Sequence, residues 1–299
     1  MTIEVQPEYR TKTGPSFASP FVHRSFLQMM DFLNLWFLGY LVIGAGVGFL
    51  AGLLGIGGGM VMVPILSILF VAQGFPFETK MQVILATSMA TIIFTSVSSV
   101  RAHHAKGAVN WLTIAAMTPG ILLGAFIGTK IVASLSTKFL AVFFTCFLFY
   151  TATQMLVNFK PKASRTLPGK PGLFGAGGMV GVLSALVGAG GGFFSIPFLT
   201  WCNVAMHTAV GTSAALGFPI AVFTTIGNVW NGWGTANVPQ PSIGFIYLPA
   251  LIGVAATSML TAPFGARLSH KLPVATLKRI LAGMLYVLAL RMLYGVVSA

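Results

Sequence analysis

The chain has 299 residues, of which 56% are apolar and only 7% are charged, with 35 glycines besides. This composition excludes a soluble globular domain and predicts a polytopic membrane protein, since no soluble core needs so much apolar surface. The net charge of +13 does not indicate nucleic-acid binding, because the cations collect in short loops between apolar runs, where lipid headgroups and topology account for them.

The carboxylates are few and lie away from the apolar runs. Only Glu4, Glu8, Asp31 and Glu78 are present, in the N-terminal tail or in a loop near a predicted helix end. A buried carboxylate is therefore excluded as a proton relay, and a metal site built on acidic ligands is not expected. We expect neither a metal nor another cofactor, and no Gly-x-x-x-x-Gly-Lys-Ser/Thr motif indicates ATP binding.

The first half of the chain begins with a polar tail, residues 1–30, which lacks the apolar core of a cleavable signal peptide. Residues 31–159 then form the first predicted transmembrane repeat. Its apolar segments are 31–54, 60–72, 81–100, 111–130 and 139–159. The second of these is too short to cross a bilayer unless it is tilted.

The second half repeats this order. A linker rich in Pro, Gly and cations, residues 160–172, separates it from the first half, and residues 173–299 form the second predicted repeat. Its apolar segments are 173–187, 193–201, 207–228, 243–268 and 274–297. The sequence thus predicts an all-α membrane protein of two repeats with about five helical segments each.

A glycine-rich stretch carries the clearest sign of duplication. The Gly-x-Gly-Gly-Gly cluster at 55–59 recurs at 188–192 without a gap, and Pro64 recurs as Pro197. A Thr-Ser pair follows each cluster, at 87–88 and at 212–213.

Each glycine cluster is predicted to end one helix and precede another, because Gly loses the most backbone entropy on ordering. In a membrane, such irregular backbone is tolerated only inside the protein or along a cavity. The helix after each cluster presents unpaired N–H groups and the positive end of its dipole, which suits an anion. The predicted backbone donors are Gly57, Gly58, Gly59, Gly190, Gly191 and Gly192. The alternative is that these glycines only allow close helix packing.

The Thr-Ser pairs are predicted to add hydroxyl donors from facing helices. They consist of Thr87, Ser88, Thr212 and Ser213. Alternatively, these side chains hydrogen-bond to carbonyls of their own helices, as Ser and Thr often do in membranes.

His103 is the candidate proton relay, because His titrates near neutrality. It lies between Arg101 and Lys106 at a predicted helix end. The alternative is a solvated cluster at the membrane interface.

The cations bear on the relative orientation of the repeats. Arg101 and Lys106 have no cationic counterpart in the second half, whereas Lys130 and Lys138 have a richer one in residues 267–279. This asymmetry predicts that the second repeat is inverted relative to the first, with both termini outside. An even number of crossings with both termini inside is the alternative.

These features together resemble the sulfite exporter TauE/SafE family of bacterial inner-membrane proteins. The resemblance rests on the doubled glycine clusters, the Thr-Ser pairs, and the closing motifs Phe-Gly-Ala-Arg-Leu at 264–268 and Leu-Lys-Arg-Ile-Leu at 277–281. It covers roughly residues 40–295. The resemblance implies a multi-pass protein of the bacterial inner membrane that exports sulfite or small organosulfur anions such as sulfonates and thiosulfate.

The leading hypothesis is therefore a secondary transporter that exports a small sulfur-containing anion by alternating access, and not an enzyme. An anion channel or an importer of similar substrates is the alternative. An intramembrane hydrolase is not favoured, because Ser88 and Ser213 lack a Gly-x-Ser-x-Gly elbow and no acid lies within the membrane. A scaffold role leaves the doubled glycine breaks unexplained. The sequence does not predict the oligomeric state.

Overall fold

The computed structural model describes residues 20–54, 58–157, 165–269 and 274–297. Within these ranges the fold is almost entirely helical, which confirms the predicted all-α class with breaks at the glycine clusters. The elements are α1 (Pro20–Leu54), α2 (Gly59–Ala72), α3 (Lys80–His104), α4 (Trp111–Ser134), α5 (Thr137–Val157), α6 (Lys170–Val187), α7 (Gly192–Trp201), α8 (Met206–Gly232), β1 (Ser242–Ile243), β2 (Ile246–Tyr247), α9 (Leu248–Ser269) and α10 (Val274–Val297).

Two boundaries differ most from the sequence expectation. Helix α1 begins at Pro20, inside the stretch predicted as a polar tail, and Pro suits a helix start because its missing N–H needs no partner there. Residues 242–247 form a short antiparallel hairpin in which Ser242 pairs with Tyr247, so the next helix begins only at Leu248.

Seven helices of the described residues are long and apolar enough to cross a membrane: α1, α3, α4, α5, α6, α8 and α9. Helices α2 and α7 are apolar but shorter. Large apolar side chains such as Leu112, Met179 and Val287 lie exposed on the outer surface, where lipid rather than water would cover them. The protein is therefore a multi-pass membrane protein.

Helices α3 and α8 form the centre of the molecule. They pack against each other, and their spans are the most buried of the seven. Their inner faces carry an unusual number of polar side chains for a membrane core. Buried members of this set are Thr87, Ser88, Thr91, Thr95 and Ser96 on α3, and Thr212, Ser213, Thr224 and Asn228 on α8.

Glycine stripes bring helices of different halves into close contact. On α1, a Cβ added to Gly44 would lie 2.6 Å from the carbonyl oxygen of Val254 on α9, and Gly52 abuts the carbonyl of Ala262 further along both helices. The contacts therefore advance in the same direction along both helices, so α1 and α9 run parallel. Small residues at such spacing let membrane helices approach until their backbones touch.

The same contact joins α4 to α6. Gly120 abuts the carbonyl of Phe174, and Gly124 abuts the carbonyl of Gly178. A Cβ on Gly128 would lie 2.7 Å from the methyl group of Ala185, one turn further on. These contacts also advance together, so α4 and α6 run parallel.

Neighbouring helices of the first half alternate in direction. The hydroxyl of Tyr40 donates to Gln73 at 2.9 Å, so α2 returns to the level at which α1 passed Tyr40. Gln82, near the start of α3, donates to the carbonyl of Leu135 at the end of α4, at 2.8 Å. Helix α4 is therefore antiparallel to α3.

Candidate functional site

The two glycine turns share one backbone conformation. Gly58 has φ 71° and Gly191 has φ 78°, in the left-handed region that favours glycine, and each is the N-cap of the helix that follows it. A side chain at either position would be strained whatever the surrounding space. Of the predicted donors, Gly57 lies outside the described residues.

The turns leave backbone donors at the starts of α2 and α7. The N–H groups of Val61 and Met62 both bond to the carbonyl of Gly58, and those of Phe194 and Ser195 both bond to the carbonyl of Gly191. The first N–H groups of a helix have no intrahelical acceptor. In α2 they belong to Gly59 and Met60, and in α7 they belong to Gly192 and Phe193.

The fold brings the two turns into contact. A Cβ added to Gly59 would lie 2.5 Å from the carbonyl oxygen of Gly188 and 2.9 Å from the Cα of Ala189. Ser88 donates its hydroxyl hydrogen to the same carbonyl of Gly188 at 2.9 Å. The start of one short helix, the turn before the other and the centre of α3 thus meet at one place.

The two predicted threonines hold helix starts. Thr87 Oγ1 accepts the N–H of Tyr247, just before α9, at 3.1 Å, and Thr212 Oγ1 accepts the N–H of Asn110, just before α4, at 3.0 Å. Neither contact is the back-bond to a carbonyl of the same helix that the alternative predicted. Each hydroxyl hydrogen remains available to a second partner, because a hydroxyl both donates and accepts.

The serine that follows Thr212 belongs to a chain of hydroxyls. Ser195 Oγ donates to the carbonyl of Gly191 at 2.9 Å and lies 2.6 Å from Ser213 Oγ. Since the hydrogen of Ser195 is used, Ser213 donates to Ser195. Sequence reasoning missed Ser195, because the position 133 residues earlier is the apolar Met62 and the repeat gave no signal there.

A narrow apolar cleft reaches the starts of both short helices. Its lining residues are Leu50, Ala51, Gly58, Met60, Val61, Phe193 and Leu281. The cleft therefore touches the first turn at Gly58 and the start of α7 at Phe193.

The glycine turns lie level with the interior of α3, and not with its ends. Ser88 is eight residues from the start of α3, roughly 12 Å along its axis at 1.5 Å per residue. His103, the predicted relay, is next to the last residue of the same helix, roughly 22 Å beyond Ser88. The structure does not bring His103 to the glycine turns.

The chemistry of the site is that of neutral hydrogen-bond donors. The one carboxylate whose side chain the structure describes, Glu78, lies in the loop between α2 and α3 and accepts a hydrogen bond from Asn237 at 2.9 Å. In the described part of the chain, no group of three His, Cys, Asp or Glu is placed to hold a metal ion. Backbone N–H groups at helix starts favour a small anion over a cation.

The fold and the geometry of this candidate site define the class of protein: a polytopic α-helical membrane protein in which two short helices start from glycine turns that contact each other. Known proteins agree with this class. The profile of the sulfite exporter TauE/SafE family matches residues 40–292. The chain is 38% identical over 253 residues to a probable membrane transporter protein of Haemophilus influenzae, covering 84% of this chain and 96% of the relative.

A second relative is a probable membrane transporter protein of Methanocaldococcus jannaschii, 29% identical over 85% of this chain and 94% of the relative. A third, of Bacillus subtilis, is 27% identical over 78% of this chain and 90% of the relative. No solved structure gives a significant match. The chain belongs to the sulfite exporter TauE/SafE family. It is a membrane transporter and not an enzyme.

Proposed function

We propose that this protein exports sulfite or a small organosulfur anion, such as a sulfonate or thiosulfate, across the bacterial inner membrane as a secondary transporter. The meeting of the two glycine turns carries the proposal. Gly59 adjoins the carbonyl of Gly188, so the donor groups that start α2 lie against the turn before α7, next to Ser88 of α3. An anion held there is bound by dipoles and hydrogen bonds without a fixed cation, which permits release as well as binding.

The helix directions support an inverted relation between the halves. Helix α1 is antiparallel to α2, and the alternation through α3 leaves α1 antiparallel to α4. Because α6 is parallel to α4, α6 runs opposite to α1, which is its counterpart in the repeat. An odd number of segments per half gives this result, and it is the arrangement in which alternating access proceeds about a central site.

The contacts of the Thr-Ser pairs support the same relation. Thr87 holds the start of α9, and Thr212 holds the start of α4, so each half supplies an equivalent bond to the other. Residues 31–159 and 173–299 are accordingly the two units that we propose to be exchanged by a twofold axis in the membrane plane. We propose the substrate-binding set to be the ten Gly, Thr and Ser positions predicted from the sequence.

The driving force follows from the scarcity of charge within the helices. We propose that the membrane potential or the proton gradient drives transport, and that any coupling to protons uses the substrate's own protonation. A proton relay through His103 is the remaining route, and it would act at the end of α3, away from the glycine turns.

The test is sulfite flux into liposomes that contain the purified protein. We expect saturable uptake of radiolabelled sulfite and acceleration by unlabelled sulfite on the opposite side, since a carrier returns faster when loaded. Thiosulfate and short sulfonates should compete, and acetate at the same concentration should not.

Two results would contradict this function. Flux that rises linearly with sulfite and shows no acceleration from the opposite side would indicate a channel. Flux no higher than in protein-free liposomes for every sulfur anion would exclude the proposed substrates. Inside-out and right-side-out vesicles distinguish export from import.

A further inference from the structure

The two glycine turns are equivalent in sequence but differ in the side chains beside them. Counting 133 residues forward, Ala51 becomes Ser184 and Met62 becomes Ser195. The methyl group of Ala51 lies 2.8 Å from where a Gly58 Cβ would be, and the hydroxyl oxygen of Ser184 lies 3.3 Å from where a Gly191 Cβ would be. The first turn therefore has a methyl group where the second has the hydroxyl of Ser184, and the apolar side chains of Ile220 and Val180 also lie beside the second turn.

Ser184 is the unusual member of this set. Its side chain is fully buried, and its Oγ has no hydrogen-bond partner in the structure. Its carbonyl accepts the N–H groups of Gly188 and Ala189, so the backbone there is satisfied while the hydroxyl is not. Buried polar groups are nearly always paired, since an unpaired one opposes folding. A hydroxyl left unpaired beside a helix start is what a ligand would satisfy.

The other hydroxyls at the second turn have no hydrogen to offer. Ser195 donates to the carbonyl of Gly191, and Ser213 then donates to Ser195. At the first turn, Ser88 donates to the carbonyl of Gly188. Among the serines beside the two turns, Ser184 is thus the one whose hydroxyl has no partner among the described contacts.

We propose that the transported anion binds asymmetrically, at the second turn, with Ser184 Oγ and the N–H groups of Gly192 and Phe193 as its donors. The first turn has Ala51 in place of the serine and supplies no side-chain donor there. This inference rests on the proposed transport of a sulfur oxyanion and adds which of the two turns binds it. Helix α7 supplies the dipole, and Ser184 supplies the side-chain donor.

The experiment measures sulfite binding to the purified full-length protein by calorimetry, with Ser184→Ala as the test. Loss of a hydrogen bond to a charged ligand predicts about tenfold weaker binding. The ligand-free variant should melt at or above the temperature of the unchanged protein, because an unpaired buried hydroxyl has been removed. The substitution deletes one oxygen atom and fills no space, so folding is retained.

Thr224→Val is the matched control. Thr224 is also fully buried with an unpartnered Oγ, but it lies on the later part of α8, and its loss should leave sulfite affinity unchanged. If Ser184→Ala binds sulfite as tightly as the unchanged protein does, or if both variants weaken binding equally, the asymmetric site is overturned. The proposed transport function is not affected by either result. Failure of the unchanged protein to bind sulfite or thiosulfate would overturn the proposed function and this inference with it.

Discussion

Replacing Thr87 or Thr212 by Val tests how the two halves hold each other. Valine keeps the shape of threonine but removes the oxygen that accepts the N–H of Tyr247 or of Asn110. An N–H that loses its acceptor in a buried place costs about 1–3 kcal/mol. Each substitution should therefore lower the melting temperature by several degrees.

The two valine substitutions should lower stability by different amounts. Thr87 and Tyr247 are both buried, so no water replaces the lost acceptor, whereas Asn110 is half-buried and closer to solvent. The loss of stability should therefore be near the upper end of the range of about 1–3 kcal/mol for Thr87→Val and near the lower end for Thr212→Val. We also expect sulfite affinity to fall several-fold in both, because α9 and α4 start from these bonds and the hydroxyl hydrogens are lost.

The assay is thermal unfolding of the purified protein in detergent, followed by calorimetric titration with sulfite. Thr87→Ser and Thr212→Ser are the controls, since serine keeps the accepting oxygen and loses only a methyl group. The reasoning is refuted if the valine variants have the melting temperature of the unchanged protein. It is also refuted if the serine substitutions lower the melting temperature as much as the valine substitutions do.

Three further predictions follow from the glycines and from the uncharged site. Gly177→Leu should prevent accumulation of folded protein, because its Cβ would meet the carbonyl of Met117, whereas a Cβ at Gly175 on the same helix would meet no atom within 4 Å, so Gly175→Leu should accumulate normally on a membrane blot. Gly58→Leu or Gly191→Leu should abolish sulfite flux, since a side chain would strain a left-handed turn beside the anion; normal flux in both would reduce the turns to packing elements. Sulfite affinity should lie between tens of micromolar and millimolar, about −4 to −6 kcal/mol, and nanomolar affinity by calorimetry would contradict a site without fixed charge.

The helix breaks were predictable because they depend on local chemistry. The sequence places a glycine cluster at 55–59 and at 188–192, and the structure begins α2 at Gly59 and α7 at Gly192. Gly disfavours helix, and three consecutive glycines do so most strongly. The fold class was predictable for a similar reason, since the length of an apolar run is a property of the run itself.

The partners of the hydroxyls were not predictable from the sequence. Thr212 bonds a backbone group 102 residues away, and Thr87 bonds one 160 residues away. A hydroxyl accepts from whichever N–H the packed fold presents, and no local pattern specifies that choice. Ser184 was missed because a single serine in an apolar run gives no signal until its surroundings are known to leave it unpaired.

The glycine stripes have a consequence for how the protein is made. Helix α1 packs most closely against α9, and more than half of the chain is synthesised between Leu54 and Leu248. During that interval the Gly44 to Gly52 face of α1 has no permanent partner, so lipid or an insertion factor must occupy it. A ribosome that stops after the first half therefore leaves an unfinished helix face in the bilayer. Two halves made as separate chains should recover function only when both are present in the same membrane.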